Sequence, residues 1–275
     1  MENNPRKFPC IELVYREGWR RVKEEISLKL SGNTVLISGG ASGIGLALAE
    51  RFLQAGNEVI VCGRRPDKLR EAKQQLPQLH TKVCDVASEA DRIALYDWVM
   101  VDFPALNILV NNAGIQQRVN LLRAGNDWNY YRQELAINLE APIHLSMLFV
   151  PHLLRQQQAY IVNITSGLAF TPPAWVPVYG ATKAGLHSFT VSLRLQLADT
   201  NIGVIEVLPP AVNTDLGGVG LHTFGAPVDD FAQAVFTGFE ANDWEIGYGS
   251  SLNAIRATRD DIDKIVLQNW TRMKK

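Results

Sequence analysis

Residues 34–45 read Thr-Val-Leu-Ile-Ser-Gly-Gly-Ala-Ser-Gly-Ile-Gly: an apolar, β-rich run that breaks into glycines and resumes as a helical pattern. Glycines at such a junction let the backbone turn sharply and approach an anion closely. The helix start that follows presents unpaired N–H groups and a partial positive charge. Ser38, Gly39, Gly40, Ser42, Gly43, Ile44 and Gly45 are therefore candidates to hold a phosphate-bearing ligand. Alone, such a stretch also fits a plain turn.

Working outward, short Val/Ile/Leu-rich runs at 34–38, 58–62, 81–84, 106–110, 160–164 and 202–208 alternate with helical patterns at 44–54, 67–75, 91–101, 132–155 and 179–198. Most of the short runs are continuously apolar, as expected for strands covered on both faces. Strand alternating with helix predicts an α/β fold: a doubly wound parallel sheet, three layers deep. A short strand at 245–248 and a helix at 253–275 would close the chain. Ile11, Val14, Tyr15, Trp19, Val22 and Ile26 recur at helical spacing. Residues 1–27 are thus an amphipathic helical extension or a disordered tail, ahead of one domain over 28–275.

Bulk properties remove several function classes. A net charge of −1 gives no basic field for nucleic acid. No apolar run approaches the roughly 20 residues of a membrane-spanning helix. Residues 1–10 lack the apolar centre of a signal peptide. The three cysteines, Cys10, Cys62 and Cys84, show no metal spacing and exclude a disulfide framework, so no metal and a cytoplasmic location are expected. Asn163-Ile164-Thr165 matches a glycosylation sequon but lies in an apolar strand, where it is a chance match.

The second strand ends in Gly63-Arg64-Arg65. A carboxylate at this place would accept from a ribose 2′-hydroxyl and repel a 2′-phosphate, whereas a guanidinium fork suits the phosphate. Arg64 and Arg65 predict NADP(H) in preference to NAD(H), unless both are merely solvated loop charges. The third strand ends in Cys84-Asp85-Val86, where Asp85 can accept from an adenine amino group. Cys62 and Cys84 read first as small buried packing residues.

Further along come Asn111-Asn112-Ala113-Gly114, Asn163-Ile164-Thr165-Ser166-Gly167 and Tyr179-Gly180-Ala181-Thr182-Lys183. Tyr179 and Lys183 stand one helical turn apart, so both project on one face. A phenol titrates near 10 when unperturbed, and an adjacent ammonium is expected to stabilise its anion. With the glycine turn, this ordered series resembles the short-chain dehydrogenase/reductase family over about 28–216. The resemblance implies that Tyr179 exchanges a proton with the substrate oxygen and that Ser166 donates a hydrogen bond to it. It implies that Lys183 lowers the tyrosine pKa and holds the nicotinamide ribose, and that Asn138 completes a proton relay. Asn112, Ala113, Gly114, Val86 and Tyr179 itself would line the cofactor.

The stretch Pro209-Pro210-Ala211-Val212-Asn213-Thr214 resembles the family loop that meets the nicotinamide carboxamide, with Pro210 in place of glycine. Proline fixes φ and lacks an N–H, so any family contact needing a positive φ or that amide is lost. Pro209, Val212 and Thr214 are the remaining candidates there. The double proline and Ser38-Gly39-Gly40 resemble the little-characterised DltE-like branch.

Segments 167–178 and 216–228 should wall the substrate pocket. Phe170, Pro173, Trp175, Leu221 and Phe224 make it apolar, with Gln116 and Arg118 at one rim, and neither segment contains lysine or arginine. The implied substrate is a small, largely apolar carbonyl compound or alcohol. Gly217, Gly218, Gly220 and Gly225 imply a lid. A homodimer or homotetramer is expected. Two other readings stay open: a non-catalytic NADP(H)-binding regulator, and a nucleotide-sugar epimerase or dehydratase, the latter usually needing a larger C-terminal domain.

Overall fold

A computed structural model describes residues 28–123 and 127–273. The extension expected over 1–27 lies outside the described residues. Seven strands form one sheet: β1 (Thr34–Ser38), β2 (Glu58–Gly63), β3 (His80–Val83), β4 (Leu106–Asn111), β5 (Ala159–Ile164), β6 (Ile202–Leu208) and β7 (Glu245–Gly247). Their order is β3-β2-β1-β4-β5-β6-β7, every pair parallel. This is the doubly wound α/β sheet that the alternation predicts.

Both faces of the central strands are dry. Val35 and Ile37 of β1 join one apolar cluster with Phe52, Phe231, Val235 and Phe239, while Leu36, between them, joins a second with Leu109, Leu145, Phe149 and Ile161. Successive strand side chains point to opposite faces, so a strand covered on both sides must be apolar at every position. The first layer comes from α1 (Gly43–Gln54), α2 (Pro66–Gln75) and α7 (Val228–Glu240). Phe52 of α1 meets Phe236 of α7 edge-on, ring centroids 4.8 Å apart. The opposite layer is α3 (Glu89–Asp102), α4 (Trp128–Leu135), α5 (Ala141–Leu153) and α6 (Pro177–Gln196).

Two helical expectations need correction. The pattern at 132–155 starts earlier, at Trp128, and a π-helical turn over Ala136–Glu140 separates α4 from α5. The C-terminal stretch is two helices, α8 (Ser250–Ile255) and α9 (Arg259–Met273). Thr258 breaks it: its Oγ1 accepts from the Asp261 N–H, and the Asp261 carboxylate accepts from the Thr258 N–H. That reciprocal pair is a helix start, so α9 begins anew.

In a parallel sheet, ligands enter at the carboxyl ends of strands where the order reverses. Here that point is the seam between β1 and β4. Asn163 of the sequon is wholly buried, which removes it as a glycosylation acceptor.

Candidate active site

The glycine turn leaves β1 at Ser38. Gly39 has φ +66°, in the left-handed region, and a Cβ there would stand 2.8 Å from the Ala113 Cα. At Gly45 a Cβ would meet the Asn112 Nδ2 at 2.4 Å and the Gly39 carbonyl at 2.5 Å. The backbone is thus drawn against the loop after β4. The Ser38 hydroxyl joins the two, accepting from the N–H groups of Asn112 (3.0 Å) and Ala113 (3.1 Å). The Asn112 carboxamide returns bonds to the carbonyls of Ser38 and Gly39. Helix α1 then begins with no side-chain cap and no acidic residue in its first turn. Its N–H groups and dipole are left for an external anion.

Arg64 and Arg65 are exposed beyond β2. The Arg65 Nη2 donates to the Ser42 hydroxyl at 3.3 Å, so this guanidinium lies beside the mouth of the turn. Asp85 accepts from the Ala87 N–H through Oδ1, and Val86 is buried. Cys62 and Cys84 are buried in the apolar layer, as packing residues. The bond from Cys84, together with burial, holds the Cys62 thiol well above the ordinary thiol range.

The remaining candidates converge on the other side of the seam. Tyr179 and Lys183 lie on α6, both buried, with the Lys183 Nζ 5.7 Å from the Tyr179 ring centroid. Nζ donates to the Ile164 carbonyl at 2.8 Å. The Ser166 hydroxyl accepts from the Leu168 N–H at 3.1 Å and bonds the Tyr179 phenol. Asn138 sits within the π-helical turn. Its Oδ1 accepts from the Ile115 N–H, and its Nδ2 donates to the Ile115 carbonyl and to Thr182. A Cβ on Gly114 would lie 3.5 Å from the Asn138 Oδ1 and 3.8 Å from the Lys183 Nζ. The segment Asn112-Ala113-Gly114 therefore touches the glycine turn at one end and the lysine at the other.

The electrostatics depart from the expectation for Tyr179. Burial pushes its phenol up to about 12, the Ser166 bond opposing and Glu134 reinforcing the rise. Burial also brings Lys183 down to about 8. Desolvation of a phenolate in this dry layer is the largest cause, and what opposes it is the Ser166 hydroxyl rather than the ammonium.

Pro210 does not displace the loop after β6 from the turn. The Pro209 carbonyl accepts from the Gly167 N–H, and Val212 forms a parallel bridge with Ala226. Thr214 arrives with its Cγ2 3.3 Å from where a Gly43 Cβ would be.

The family "short chain dehydrogenase" matches residues 33–219, a span that holds the glycine turn, Asn138, Ser166, Tyr179 and Lys183. The chain belongs to the short-chain dehydrogenases. Within them it is similar to the uncharacterized oxidoreductase DltE of Bacillus subtilis, 48% identical over 246 residues, 88% of this chain and 98% of that one. It is also similar to the 3-oxoacyl-[acyl-carrier-protein] reductase FabG of Aquifex aeolicus, 30% identical over 200 residues, 70% of this chain and 79% of that one. Among solved structures, a short-chain dehydrogenase of Sphingobium yanoikuyae in complex with NADPH is 26% identical, with TM-score 0.73, covering 85% of this chain and 96% of that one.

In this short-chain dehydrogenase the expected pocket walls differ in burial. Phe170 packs tilted against His187, ring centroids 4.5 Å apart, and Trp175 is half-buried. Phe224 and Val219 are exposed, at 78% and 86%. The loop passes close to Gln116: a Cβ on Gly217, whose φ is +78°, would be 3.2 Å from the Gln116 carbonyl. Arg118 is exposed. No group of three or more His, Cys, Asp or Glu among the described residues is arranged to hold a metal ion. No helix among them is long and apolar enough to cross a membrane.

Sequence reasoning missed Glu134, wholly buried and close enough to be felt electrostatically at Lys183 and Tyr179. No sequence signal marks it: within the polar pattern 128–134 it reads as a solvated charge, and only the packing of α4 buries it.

Proposed function

We propose that this short-chain dehydrogenase is an NADP(H)-dependent oxidoreductase acting on the carbonyl or secondary alcohol of a small, largely apolar substrate. The observation that carries this reading is the reach of Asn112-Ala113-Gly114 from the anion-ready glycine turn to the Lys183 ammonium. A dinucleotide fits what is there: glycines where a Cβ would collide, an uncapped helix start, and guanidinium groups beyond β2. The turn and α1 would hold the pyrophosphate, and Arg64 and Arg65 the 2′-phosphate. Asp85 and Val86 would flank the adenine, Lys183 the ribose, and Pro209, Val212 and Thr214 the carboxamide. When bound, the nicotinamide supplies the hydride in reduction and takes it in oxidation.

The chain's own residues handle the proton. Accepting from the Leu168 N–H leaves the Ser166 hydrogen free to be donated, to the Tyr179 phenol or to a substrate oxygen on which charge develops. Tyr179 gives that oxygen its proton in reduction and removes it in oxidation. A phenol held near 12 keeps its proton through neutral pH, which suits the acid role. Lys183 steers the ribose, and Asn138 completes the proton relay with it. The lysine- and arginine-free walls support an apolar substrate, and the exposed Phe224 and Val219 support a loop that closes over it.

Loss of NADPH absorbance across a panel of ketones and aldehydes tests the reading. Turnover of neutral apolar carbonyls is expected, and a clear preference for acidic ones would overturn the substrate assignment. Arg64→Asp should reduce the NADPH-over-NADH ratio of kcat/KM by about tenfold or more, since each charge-assisted bond contributes about 1.5–3 kcal/mol. An unchanged ratio would remove Arg64 from cofactor selection. The same reading takes 28–275 as one domain of a cytoplasmic homodimer or homotetramer, supported by exposed Met147 on α5 and Leu195 on α6.

A further inference from the structure

Glu134 lies in the last turn of α4 and is wholly removed from solvent. Its Oε1 accepts from the Gln117 N–H at 2.9 Å. Its Oε2 has no hydrogen-bond partner among the described residues, nor has the buried Gln117 Oε1. A carboxylate with one bare oxygen in a dry layer is costly, and a structural role would be served as well by glutamine. What glutamate adds is a charge that can be put on and taken off.

That charge sits on α4, which packs against α6, the helix that carries both reacting groups. Lys183 and Tyr179 on α6 both feel it. Of the other ionisable groups on neighbouring segments, Tyr130 and Tyr131 of α4 meet each other edge-on. Arg118, next to Gln117, and Arg132 on α4 are exposed. Glu140, past the π-helical turn, pairs with Arg92, and His187 on α6 pairs with Glu206. Burial lifts the Glu134 carboxyl to about 7, the Gln117 bond and then the Lys183 ammonium opposing the rise.

We infer that Glu134 is a positioning residue of the proton-transfer site: once ionised, its buried carboxylate holds protons on Lys183 and Tyr179 and so keeps carbonyl reduction going further into alkaline pH. This rests on the oxidoreductase reading above. The signs follow from charge alone. A negative charge nearby raises the pKa of an ammonium and of a phenol alike. Reduction requires the phenol protonated, so its alkaline limb should lie higher with Glu134 ionised than without it. Oxidation requires the phenolate, and its onset is delayed by the same amount. The overall equilibrium is untouched.

The test needs two readouts. In the first, pH profiles of kcat for NADPH-dependent reduction are compared for wild type, Glu134→Gln and Glu134→Asp. Glutamine keeps the volume and the acceptor for the Gln117 N–H. It should move the alkaline limb down by about half to one pH unit, and aspartate should restore part of the shift. Superimposable profiles, whatever their height, would overturn the inference. In the second, infrared spectroscopy follows the neutral carboxyl stretch, as wild type minus Glu134→Gln, between about pH 5 and 9. A band that disappears through about pH 7 is expected, with its midpoint raised in Lys183→Met, where the opposing ammonium is gone. A band absent throughout, or a midpoint unmoved by Lys183→Met, would overturn the coupling. This readout needs no turnover. A wild type that reduces no carbonyl would sink the oxidoreductase reading, and with it the role in reduction, while the infrared midpoints would still decide the coupling separately.

Discussion

Replacing Tyr179 with phenylalanine is expected to lower kcat/KM for ketone reduction by about a thousandfold, within the range typical for loss of a general acid. Affinity for NADPH should stay within about twofold, because each kcal/mol changes it about fivefold and the hydroxyl is assigned to the substrate. The ring is nearly buried, at 6% exposure, and phenylalanine fills the same space. The Ser166 hydroxyl keeps its bond from the Leu168 N–H, so the end of β5 is not released. Steady-state kinetics beside a fluorescence titration with NADPH would separate the two effects. Activity surviving within tenfold would show that another group delivers the proton. A parallel loss of NADPH affinity would move Tyr179 from the chemistry to cofactor binding.

Gly45→Ala should do comparable damage by a different route. The new Cβ would sit 2.4 Å from the Asn112 Nδ2 and 2.5 Å from the Gly39 carbonyl, both part of the staple between turn and loop. Backbone cannot swing aside as a flexible side chain does, so α1 or the Asn112 loop must shift. Overpacking of this kind costs about 3 kcal/mol, a fall in Tm of about 6–12 °C for a chain of this size. The displaced helix start should weaken NADPH binding by about a hundredfold, since the N–H groups aimed at the anion move with it. Gly63→Ala is the matching control. Gly63, half-buried at the end of β2, has nothing within 4 Å of its Cβ position, and the variant should melt within about 2 °C of wild type, since nothing is overpacked. If Gly45→Ala melts and binds like the control, the close approach does not govern this site.

The alternation of strands and helices was legible because the central strands, covered on both faces, had to be almost wholly apolar, as Val35-Leu36-Ile37 shows. The glycine turn and the Tyr179/Lys183 pair were legible for a similar reason: each is a short-range pattern set by local sterics. Thr258, which restarts the C-terminal helix through a reciprocal bond with Asp261, left a readable capping signal that the longer periodicity overrode. The π-helical turn at Asn138 left no such mark. It takes its place from bonds to Ile115 and Thr182, remote in the chain.

By itself, then, the sequence determined the sheet, its layering, the anion-ready turn and the side chains gathered at the β1/β4 seam. Local backbone preference and the burial of apolar faces are written in neighbouring residues. Tertiary structure alone decided that the Ser38 hydroxyl staples two loops, that the Tyr179 phenol is pushed up to about 12 rather than drawn down, and that Glu134 lies in its field. Desolvation and Coulomb energy depend on everything within several ångströms, from whichever part of the chain folding brings there.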